Sequence, residues 1–459
     1  MEKNTPIVGR RAMYIFSYRE IYEQFSLACA QDLALQPVAW LGDYRLAEFA
    51  HARFGSQSVF VDYRSLLSGY FVSQNKCPSR VVSRLSEFLD SDQFARVERQ
   101  LLGEFNRSTE FWLVRAVDRE ARLRQILHQL IGVFVEQQPE VLVASETPHG
   151  VADLSALYIA QWMGIPTLLF QPTSTIGPGL MPRTSLTETL QIDSPMSREK
   201  RSQLTRIDFL EKMISEFGNG GLPARMQSEL DRDAARPSAT NSRRIFLQRR
   251  VRAAIALTGN FRRDTQWEAG LASLVDSTFR DRFFRSVKRL PSTFMSDGPV
   301  AVFPLHYQPE RTSSPEGGLR AYQGDLVVKA RSLLPPEIRL IVKEHPSSVT
   351  KRRHGYLGRS KHTFDFVDSL PNTSMVGPDW NLEAVLGSMQ AVFTLTGSIG
   401  VQAALREIPV VYFGNPWWQG MPGALKHQDN LVWSDIQKAV RGTKHKEVAD
   451  FLRELVWER

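Results

Sequence analysis

The stretch Gln390-Ala-Val-Phe-Thr-Leu-Thr-Gly-Ser-Ile-Gly400 joins an apolar strand to a polar, glycine-containing turn. Three other segments of the C-terminal half also run from a short apolar strand into a polar loop. They are Pro299-Val-Ala-Val-Phe303, Arg339-Leu-Ile-Val342 and Pro409-Val-Val-Tyr-Phe413. Because ligands of open parallel sheets bind at the carboxyl ends of the strands, we expect these four loops to line one pocket. Their content suits a phosphate with an attached nucleoside.

The N-terminal third also alternates strand and helix patterns. Helical stretches include 20–35 and a long segment from about 80 to 138, with Asp90-Ser91-Asp92 as a break and cap. The predicted strands are Met13–Phe16, Val38–Leu41, Ser58–Val61, Glu140–Ala144 and Thr167–Phe170. The pattern predicts an α/β protein of two facing Rossmann-like domains with a cleft between them and a helical connector. The predicted parts are an N-terminal domain at 1–185, a basic connector at 186–295, a C-terminal domain at 296–430 and terminal helices at 431–459.

Length, composition and cysteine content predict a cytoplasmic protein. A chain of 459 residues is long enough for two or three domains. It has no apolar run of about 18 residues, and its first 11 residues lack the apolar core of a signal peptide. The two cysteines, Cys29 and Cys77, give neither a disulfide framework nor a metal-ligand spacing.

The net charge of +8 is concentrated in the middle of the chain. Three interpretations remain open: a solvated helical face, peripheral contact with an anionic inner-membrane surface, and nucleic-acid binding. The sequence carries no helix-turn-helix, zinc-finger or aromatic RNA-binding signature, so we expect no nucleic-acid partner. The arginines of this region are Arg243, Arg244, Arg249, Arg250, Arg252, Arg262, Arg263, Arg280, Arg282, Arg285 and Arg289, joined by Lys288.

Two loops of the C-terminal half are candidate phosphate sites. The turn Thr396-Gly397-Ser398 precedes a helix, and its glycine allows backbone N–H groups to approach an anion, with Ser398 as the helix cap. The alternative is an ordinary strand-to-helix turn. In Lys343-Glu344-His345-Pro346 the proline keeps His345 extended at the end of a strand, where it can donate to a phosphate oxygen. The alternative is a surface histidine beside a Lys–Glu pair.

Other candidates would contact the rest of a donor or act on an acceptor. His306, Gln308 and Glu310 lie in a long, proline-stiffened loop that suits base, ribose or sugar contacts, or is purely architectural. Trp417 and Trp418 form either a stacking platform or interdomain packing. In the N-terminal half, Glu146, His149 and Asp153 are candidate general bases on an acceptor hydroxyl, with helix capping as the alternative for Asp153.

Metal-binding and hydrolase patterns do not fit this sequence. Asp231-Arg232-Asp233 falls in the connector, and Asp90-Ser91-Asp92 falls within the helical segment. There is no HExxH and no Gly-X-Ser-X-Gly. We therefore expect a mechanism without metal ion or cofactor.

These motifs resemble those of bacterial capsular or surface polysaccharide biosynthesis proteins. That family is similar to capsule-type Kdo transferases and other His-Pro-motif glycosyltransferases of GT-B architecture. The resemblance covers about 140–180 and 299–425. Its segments are Phe303-Pro-Leu-His-Tyr-Gln-Pro-Glu310, Ser314-Pro315, Gly317-Gly318, Lys343-Glu-His-Pro346, Thr396-Gly-Ser398, Pro409 to Gly423, Glu146-Thr-Pro-His-Gly150 and Gly164-Ile-Pro166.

The resemblance implies a transferase that uses a nucleotide-sugar donor, with CMP-sugars favoured, and a glycan or glycolipid acceptor. It assigns the donor phosphate to His345 and to the turn of Thr396, Gly397 and Ser398. Relatives commonly carry glutamate where this chain has Gln402, and that carboxylate is expected to bind ribose hydroxyls. A nucleotide-sugar epimerase of the same fold and a non-catalytic polysaccharide assembly protein remain as alternatives.

Overall fold

Two six-stranded β-sheets, each in its own compact unit, organise the computed structural model of this chain. The first unit holds the described residues up to Pro172 and again from Leu180, and the second holds those from Glu211 onward. The structure describes residues 7–16, 20–55, 58–68, 78–107, 116–172, 180–183, 185–186, 211, 213–215, 279–294, 298–319, 322–349, 355–441 and 444–457.

The sheet of the first unit has the strand order β3-β2-β1-β4-β5-β6, parallel except for the β5–β6 pair. This is the doubly wound order in which the sheet grows outward from β1 in both directions. Its strands are β1 (Arg11–Phe16), β2 (Gln36–Gly42), β3 (Val59–Asp62), β4 (Val141–Ala144), β5 (Thr167–Pro172) and β6 (Leu180–Arg183).

Helices cover both faces of this sheet. Alternate residues of β1 enter opposite cores: Met13 and Ile15 pack into one cluster, and Tyr14 and Phe16 into the other. Burial on both faces explains why the strands are continuously apolar rather than alternating. The helices are α1 (Glu20–Asp32), α2 (Arg45–Phe54), α3 (Tyr63–Ser68), α4 (Ser79–Leu89), α5 (Asp92–Glu104), α6 (Ala116–Gln137) and α7 (Val151–Trp162).

The described part of the long helical segment contains three α-helices, and a short polar sequence separates the first two. Asp90 and Ser91 separate α4 from α5, and Ser91 Oγ accepts a hydrogen bond from the N–H of Phe94 at 3.2 Å. This is an N-cap, which confirms the break and cap predicted for Asp90-Ser91-Asp92. Helix α5 then buries Phe94, Val97 and Leu101 against the first unit's core.

The second sheet repeats the topology of the first. Its order, β12-β11-β10-β7-β8-β9, again grows outward from its first strand in both directions, and all five pairs of neighbouring strands are parallel. The strands are β7 (Val300–Pro304), β8 (Arg339–Lys343), β9 (Thr373–Val376), β10 (Ala391–Thr394), β11 (Val410–Tyr412) and β12 (Ala424–Lys426). The helices are α8 (Gln323–Leu333), α9 (Lys361–Asp368), α10 (Leu382–Val385), α11 (Ile399–Ala404), α12 (Trp433–Arg441) and α13 (His445–Trp457).

The predicted α/β class with two Rossmann-like domains is therefore confirmed. All nine predicted strands are present, with ends that differ by one or two residues. The edge strands β6, β9 and β12 were not predicted. Residues 279–287 are helical, but most of the predicted connector at 186–295 lies outside the described residues, so the four-part division of the chain stays a prediction.

Candidate functional site

A pocket of about 300 Å³ lies at the carboxyl ends of β7, β8 and β10 in the second unit. Strand β7 is paired with β10 on one side and β8 on the other, so the strand order reverses at β7. Ligands of doubly wound sheets bind at this switch point. The lining residues are Pro304, Leu305, His306, Lys343, Glu344, His345, Pro346, Pro378, Asp379, Trp380, Asn381, Leu382, Glu383, Thr394, Gly397, Ser398, Ile399 and Gln402.

Seven of the predicted site residues meet in this pocket although up to 96 positions separate them in sequence, from 306 to 402. They are His306, Lys343, Glu344, His345, Gly397, Ser398 and Gln402. His345 and two residues of the predicted turn, Gly397 and Ser398, thus line the same pocket, whereas Thr396 does not.

His345 presents a defined tautomer. The backbone N–H of Ser347 donates to its Nδ1 at 3.1 Å, within the 3₁₀ turn Pro346–Val349. Because an N–H can only donate, Nδ1 is the acceptor, and the neutral ring carries its proton on Nε2. The half-buried imidazole thus offers an Nε2–H donor at the pocket.

His306 has the opposite tautomer and a different task. Its ring is buried, and Nε2 accepts from the backbone N–H of Thr396 at 3.2 Å. Burial first, and the nearby Arg359 charge second, lower the pKa of His306 to about 4. The ring is therefore neutral at physiological pH and fixes the start of the turn after β10.

The turn after β10 needs its glycine. The N–H of Gly397 donates to Thr394 Oγ1 at 3.1 Å, and an added Cβ at Gly397 would lie 2.8 Å from that oxygen. Thr396 is turned away from the pocket, and its Oγ1 donates to the carbonyl oxygen of Thr312 at 2.8 Å. Only Gly397 and Ser398 of the predicted phosphate turn line the pocket.

The predicted side-chain cap at Ser398 was wrong. Ser398 makes no side-chain cap hydrogen bond, and its backbone lies in the helical region (φ −61°, ψ −15°) rather than the extended region of a capping residue. Its carbonyl oxygen instead accepts from the N–H groups of Val401 and Gln402. Helix α11, which follows, is six residues long.

Lys343 supplies a buried amine to the pocket wall. Its Nζ donates to the carbonyl oxygen of Pro378 at 2.6 Å. Burial lowers the pKa of Lys343 to about 8, against the opposing effect of Glu344, Asp379 and Glu383. The ammonium is thus the predominant form at neutral pH, and it lies beside the predicted phosphate ligands.

Glu344 contributes a buried carboxylate beneath the His345 turn. Its side chain is fully buried, and its Oε1 accepts from the N–H of His345 at 2.7 Å and from Ser348 Oγ at 2.8 Å. A further ion pair joins Oε1 to Arg359 Nη2 at 3.0 Å. The carboxylate therefore supports His345 from behind.

Gln402 presents an acceptor to the pocket. Its side chain is 2% exposed, and its Oε1 has no hydrogen-bond partner among the residues that the structure describes. A buried amide oxygen without a partner is costly unless a ligand or water completes it. This oxygen suits a hydroxyl or amino donor, which fits the ribose contact that the resemblance implies.

One wall of the pocket, residues 378–383, was missed. It follows β9, whose sequence Thr373-Ser-Met-Val376 is too polar to stand out as a buried strand. Asn381 caps α10 by accepting from the N–H of Ala384, and burial raises the pKa of Glu383 despite its ion pair with Arg406 at 3.2 Å. The signal in the sequence was the Pro378-Asp379 pair after an apolar Met375-Val376 step.

The remaining C-terminal candidates lie outside the pocket lining. Gln308 and Glu310 are half-buried in the loop after β7, and Glu310 accepts from Thr312 Oγ1 at 3.0 Å. Trp417 is half-buried, whereas Trp418 is fully buried against Tyr412, with ring centroids 5.2 Å apart. Trp418 therefore cannot be a stacking platform, because no face of its ring reaches solvent.

The first unit holds the predicted base candidates at the carboxyl end of β4. The carboxylate of Asp153 accepts from the N–H groups of His149 at 2.6 Å and Gly150 at 2.7 Å, so it caps α7, as its alternative interpretation predicted. His149 Nδ1 donates to the carbonyl oxygen of Thr147 at 2.9 Å, which leaves the ring's lone pair on Nε2. Glu146 is half-buried in the same turn.

Two negative findings apply to the part of the chain that the structure describes. No described helix has the length and apolar character needed to span a membrane. The same residues contain no group of three or more His, Cys, Asp or Glu side chains placed to hold a metal ion. Most of the basic cluster, including Arg243 to Arg263, lies outside the described residues.

Solved structures with a similar fold include two kinds of protein. KpsC from Thermosulfurimonas dismutans, a beta Kdo 2,7 transferase, is 12% identical, with 68% of this chain and 78% of that chain covered and a TM-score of 0.28. The UDP-GlcNAc 2-epimerase from Methanocaldococcus jannaschii is also 12% identical, with 97% and 99% covered and a TM-score of 0.23. No curated protein matches this chain in sequence.

A family model matches a segment that contains all of the pocket-lining residues except Pro304, Leu305 and His306. Residues 311–452 match the model described as capsule polysaccharide biosynthesis protein. This segment begins after β7 and includes the His345 turn, the Gly397 turn and Gln402. Over residues 311–452, the match confirms the predicted resemblance to capsule polysaccharide biosynthesis proteins.

Proposed function

We propose that this protein is a glycosyltransferase of capsule polysaccharide biosynthesis that binds a nucleotide-sugar donor in the pocket of its second unit. The single observation that carries the proposal is the convergence of His345, Lys343 and the Gly397–Ser398 turn on that pocket. The His345 N–H group, the Gly397–Ser398 turn and the Lys343 ammonium around one cavity favour the binding of an anionic group. The family match over the same residues supports the assignment to polysaccharide synthesis.

The donor phosphate would lie between His345 and the Gly397–Ser398 turn. When the acceptor oxygen bonds to the anomeric carbon, the bond from that carbon to the phosphate oxygen breaks, and the phosphate leaves with the electron pair. The Nε2–H of His345 and the Lys343 ammonium would stabilise this charge. Gln402 Oε1 would accept from a hydroxyl of the nucleoside.

The acceptor hydroxyl must lose a proton as it attacks. Glu146 and His149 remain the candidate bases, because each is half-buried at a strand end of the first unit and His149 has its lone pair on Nε2. Asp153 is excluded from this role by its two backbone hydrogen bonds. A glycan or glycolipid with a free hydroxyl is the acceptor class.

A thermal-shift screen with CMP, UDP, GDP and their sugars tests the donor site. We expect one nucleotide to raise the unfolding midpoint selectively, since a ligand at 100 times its Kd stabilises by about 2.7 kcal/mol. CMP is favoured by the family resemblance. If none of the nucleotides shifts the midpoint, the proposal of a nucleotide-sugar donor is wrong.

Incubation of the protein with the bound nucleotide sugar, without any acceptor, separates transfer from isomerisation. A glycosyltransferase leaves the donor sugar unchanged apart from slow hydrolysis. An epimer appearing in this reaction would contradict the transferase assignment. Release of nucleotide that depends on an added polysaccharide fragment would support it.

A further inference from the structure

A buried arginine outside the pocket lining connects two of its histidines. The side chain of Arg359 is 1% exposed and lies between α9 and the loop after β7. Its Nη2 forms a short hydrogen bond to the carbonyl oxygen of His306 and an ion pair of 3.0 Å with Glu344 Oε1. One nitrogen thus bridges the strand end that carries His306 and the one that carries His345.

The contact reaches His345 through one intermediate. Glu344 Oε1, the oxygen held by Arg359, also accepts from the backbone N–H of His345 at 2.7 Å. Ser348 Oγ donates to the same oxygen at 2.8 Å, which fixes the far end of the 3₁₀ turn. The backbone on both sides of the His345 ring is therefore tied to a single carboxylate oxygen, and that oxygen to Arg359.

Two glycines let the Arg359 segment approach this closely. An added Cβ at Gly355 would lie 2.5 Å from the carbonyl oxygen of Ser348, and one at Gly358 would lie 2.3 Å from Cβ of Gln308. Both neighbours are close enough that side chains on these glycines would force the backbones apart. The segment from 355 to 359 thus contacts both pocket loops directly.

Stability alone is a weak reason for this ion pair. Burying two charges costs several kcal/mol per ion, and the attraction between them offsets that cost only when all their polar atoms are paired. Here Glu344 Oε2, Arg359 Nε and Arg359 Nη1 are buried and have no partner among the described residues. An apolar pair of similar volume would fill the same space without those unpaired atoms.

We propose that Arg359 is a positioning residue, which holds His306 and His345 in the orientations that the pocket requires. Its importance for donor binding rests on the proposed function. Its effect on the two imidazoles is independent of that function, because the hydrogen bonds of both rings exist without any ligand. Arg359 has no contact with the pocket itself, so it is not a catalytic residue.

The test compares Arg359→Met with Arg331→Met in the full chain. Arg331 is also buried, in α8, and donates to the carbonyl oxygens of Leu334, Pro335 and Ile338. Both substitutions remove buried hydrogen bonds of an arginine in the same unit, so both are expected to lower the unfolding midpoint. Only the first removes a link to the pocket histidines.

Nitrogen-15 NMR of the imidazoles gives a readout that a general loss of stability does not move. In the unsubstituted protein we expect the Nε2–H tautomer at His345 and the Nδ1–H tautomer at His306, assigned with His345→Ala and His306→Ala. Arg359→Met is expected to give mixed tautomers at both rings, and Arg331→Met to leave each ring in a single tautomer. If Arg359→Met leaves each ring in a single tautomer, or if Arg331→Met mixes the tautomers as much as Arg359→Met does, the proposal is overturned.

A binding measurement completes the test with whichever of CMP, UDP and GDP raises the midpoint in the screen above. We expect Arg359→Met to lower the affinity for that nucleotide by about tenfold or more, and Arg331→Met to change the affinity by less than about twofold. Should Arg359→Met fail to fold, Arg359→Lys retains a cation that reaches one acceptor but not both, and a smaller change in the same direction is expected. A protein that binds none of the nucleotides contradicts the donor proposal, while the tautomer measurement still decides the role of Arg359.

Discussion

The backbone N–H of Thr396 donates to Nε2 of His306 over 3.2 Å, across 90 positions of the chain. This bond joins the loop after β7 to the turn after β10, the two strand ends that flank the switch point of the second sheet. His306 Nε2 also lies 3.3 Å from Thr394 Oγ1, the oxygen that accepts from Gly397 N–H. The shape of the candidate anion site therefore depends on a histidine that serves as an acceptor.

Replacing His306 by leucine removes that acceptor and leaves the buried Thr396 N–H without a partner. We expect a loss of about 2 kcal/mol in the free energy of unfolding, the usual cost of an unpaired buried donor. Chemical denaturation measures it. His362→Leu, at an exposed position of α9, is the matched control and is expected to stay within about 0.5 kcal/mol. Equal effects of the two substitutions would contradict the role given to His306.

Replacing His345 by alanine removes the proposed Nε2–H donor to the phosphate. Hydrogen bonds to charged groups contribute roughly 1.5–3 kcal/mol, so the Kd for the bound nucleotide is expected to rise roughly 10- to 100-fold. Titration calorimetry measures the change. His345→Gln retains an N–H near that position and should recover part of the affinity. His51→Ala, on the exposed face of α2, should change nothing. Unaltered affinity in His345→Ala would remove this residue from the donor site.

Lys343 is expected to make stability depend on pH in the alkaline range. Its pKa of about 8 in the folded protein lies below the ordinary lysine value of 10.5, so the unfolded chain binds more protons between these two pH values. Stability therefore rises with pH across that window, by at most on the order of 3 kcal/mol relative to Lys343→Met. Denaturation curves of both proteins between pH 7 and about 10.5 provide the comparison. A pH-independent difference between them would show that Lys343 titrates normally.

The same titration should weaken anion binding. As Lys343 loses its proton above pH 8, the pocket loses its ammonium. The affinity for the nucleotide is therefore expected to fall above pH 8 in the unsubstituted protein and to stay constant in Lys343→Met.

Gly400 lies where α11 packs on Trp418. An added Cβ would lie 2.5 Å from the indole ring, and the ring is fully buried and cannot move aside. Gly400→Ala is expected to cost about 1–3 kcal/mol through overpacking and to displace Gln402 on the same helix. Gly387→Ala is the control, because nothing lies within 4 Å of its Cβ position. Denaturation curves that coincide for the two variants would disprove the tight contact.

Asp153 is expected to act on the stability of the first unit. Asp153→Ala leaves the N–H groups of His149 and Gly150 without their acceptor, at a cost of about 2 kcal/mol. Asp153→Asn keeps one amide oxygen as acceptor and should lose about half as much. Thermal denaturation followed by circular dichroism measures both. A loss in Asp153→Asn as large as in Asp153→Ala would mean that the negative charge, rather than the cap, matters.

The eight interior strands were predictable because burial on both faces makes them continuously apolar, as in Val392-Phe393 and Val410-Val411. Of the four edge strands only β3 was predicted, because a segment such as Thr373-Ser-Met-Val376 or Ala424-Leu-Lys426 is covered on fewer sides and carries polar residues. The convergence of the loops after β7, β8 and β10 was predictable once the strands were assigned to one parallel sheet. Parallel topology alone brings their ends together.

Which side chains face the pocket could not be predicted. Glu344 and His345 are neighbours in sequence and both line the pocket, yet the carboxylate is fully buried beneath the turn and the imidazole is only half-buried. That difference arises from Arg359, fourteen positions after His345, whose charge holds Glu344 inward. Trp418 illustrates the same limit. A tryptophan between glycines and prolines has one sequence pattern whether it stacks on a ligand or fills the core.

Every residue that lines the pocket falls between positions 304 and 402, within a single α/β unit. Under the proposed function, the residues that bind the activated sugar are thus encoded by one contiguous block of about a hundred codons. Recombination that replaces the first unit would leave this block unchanged.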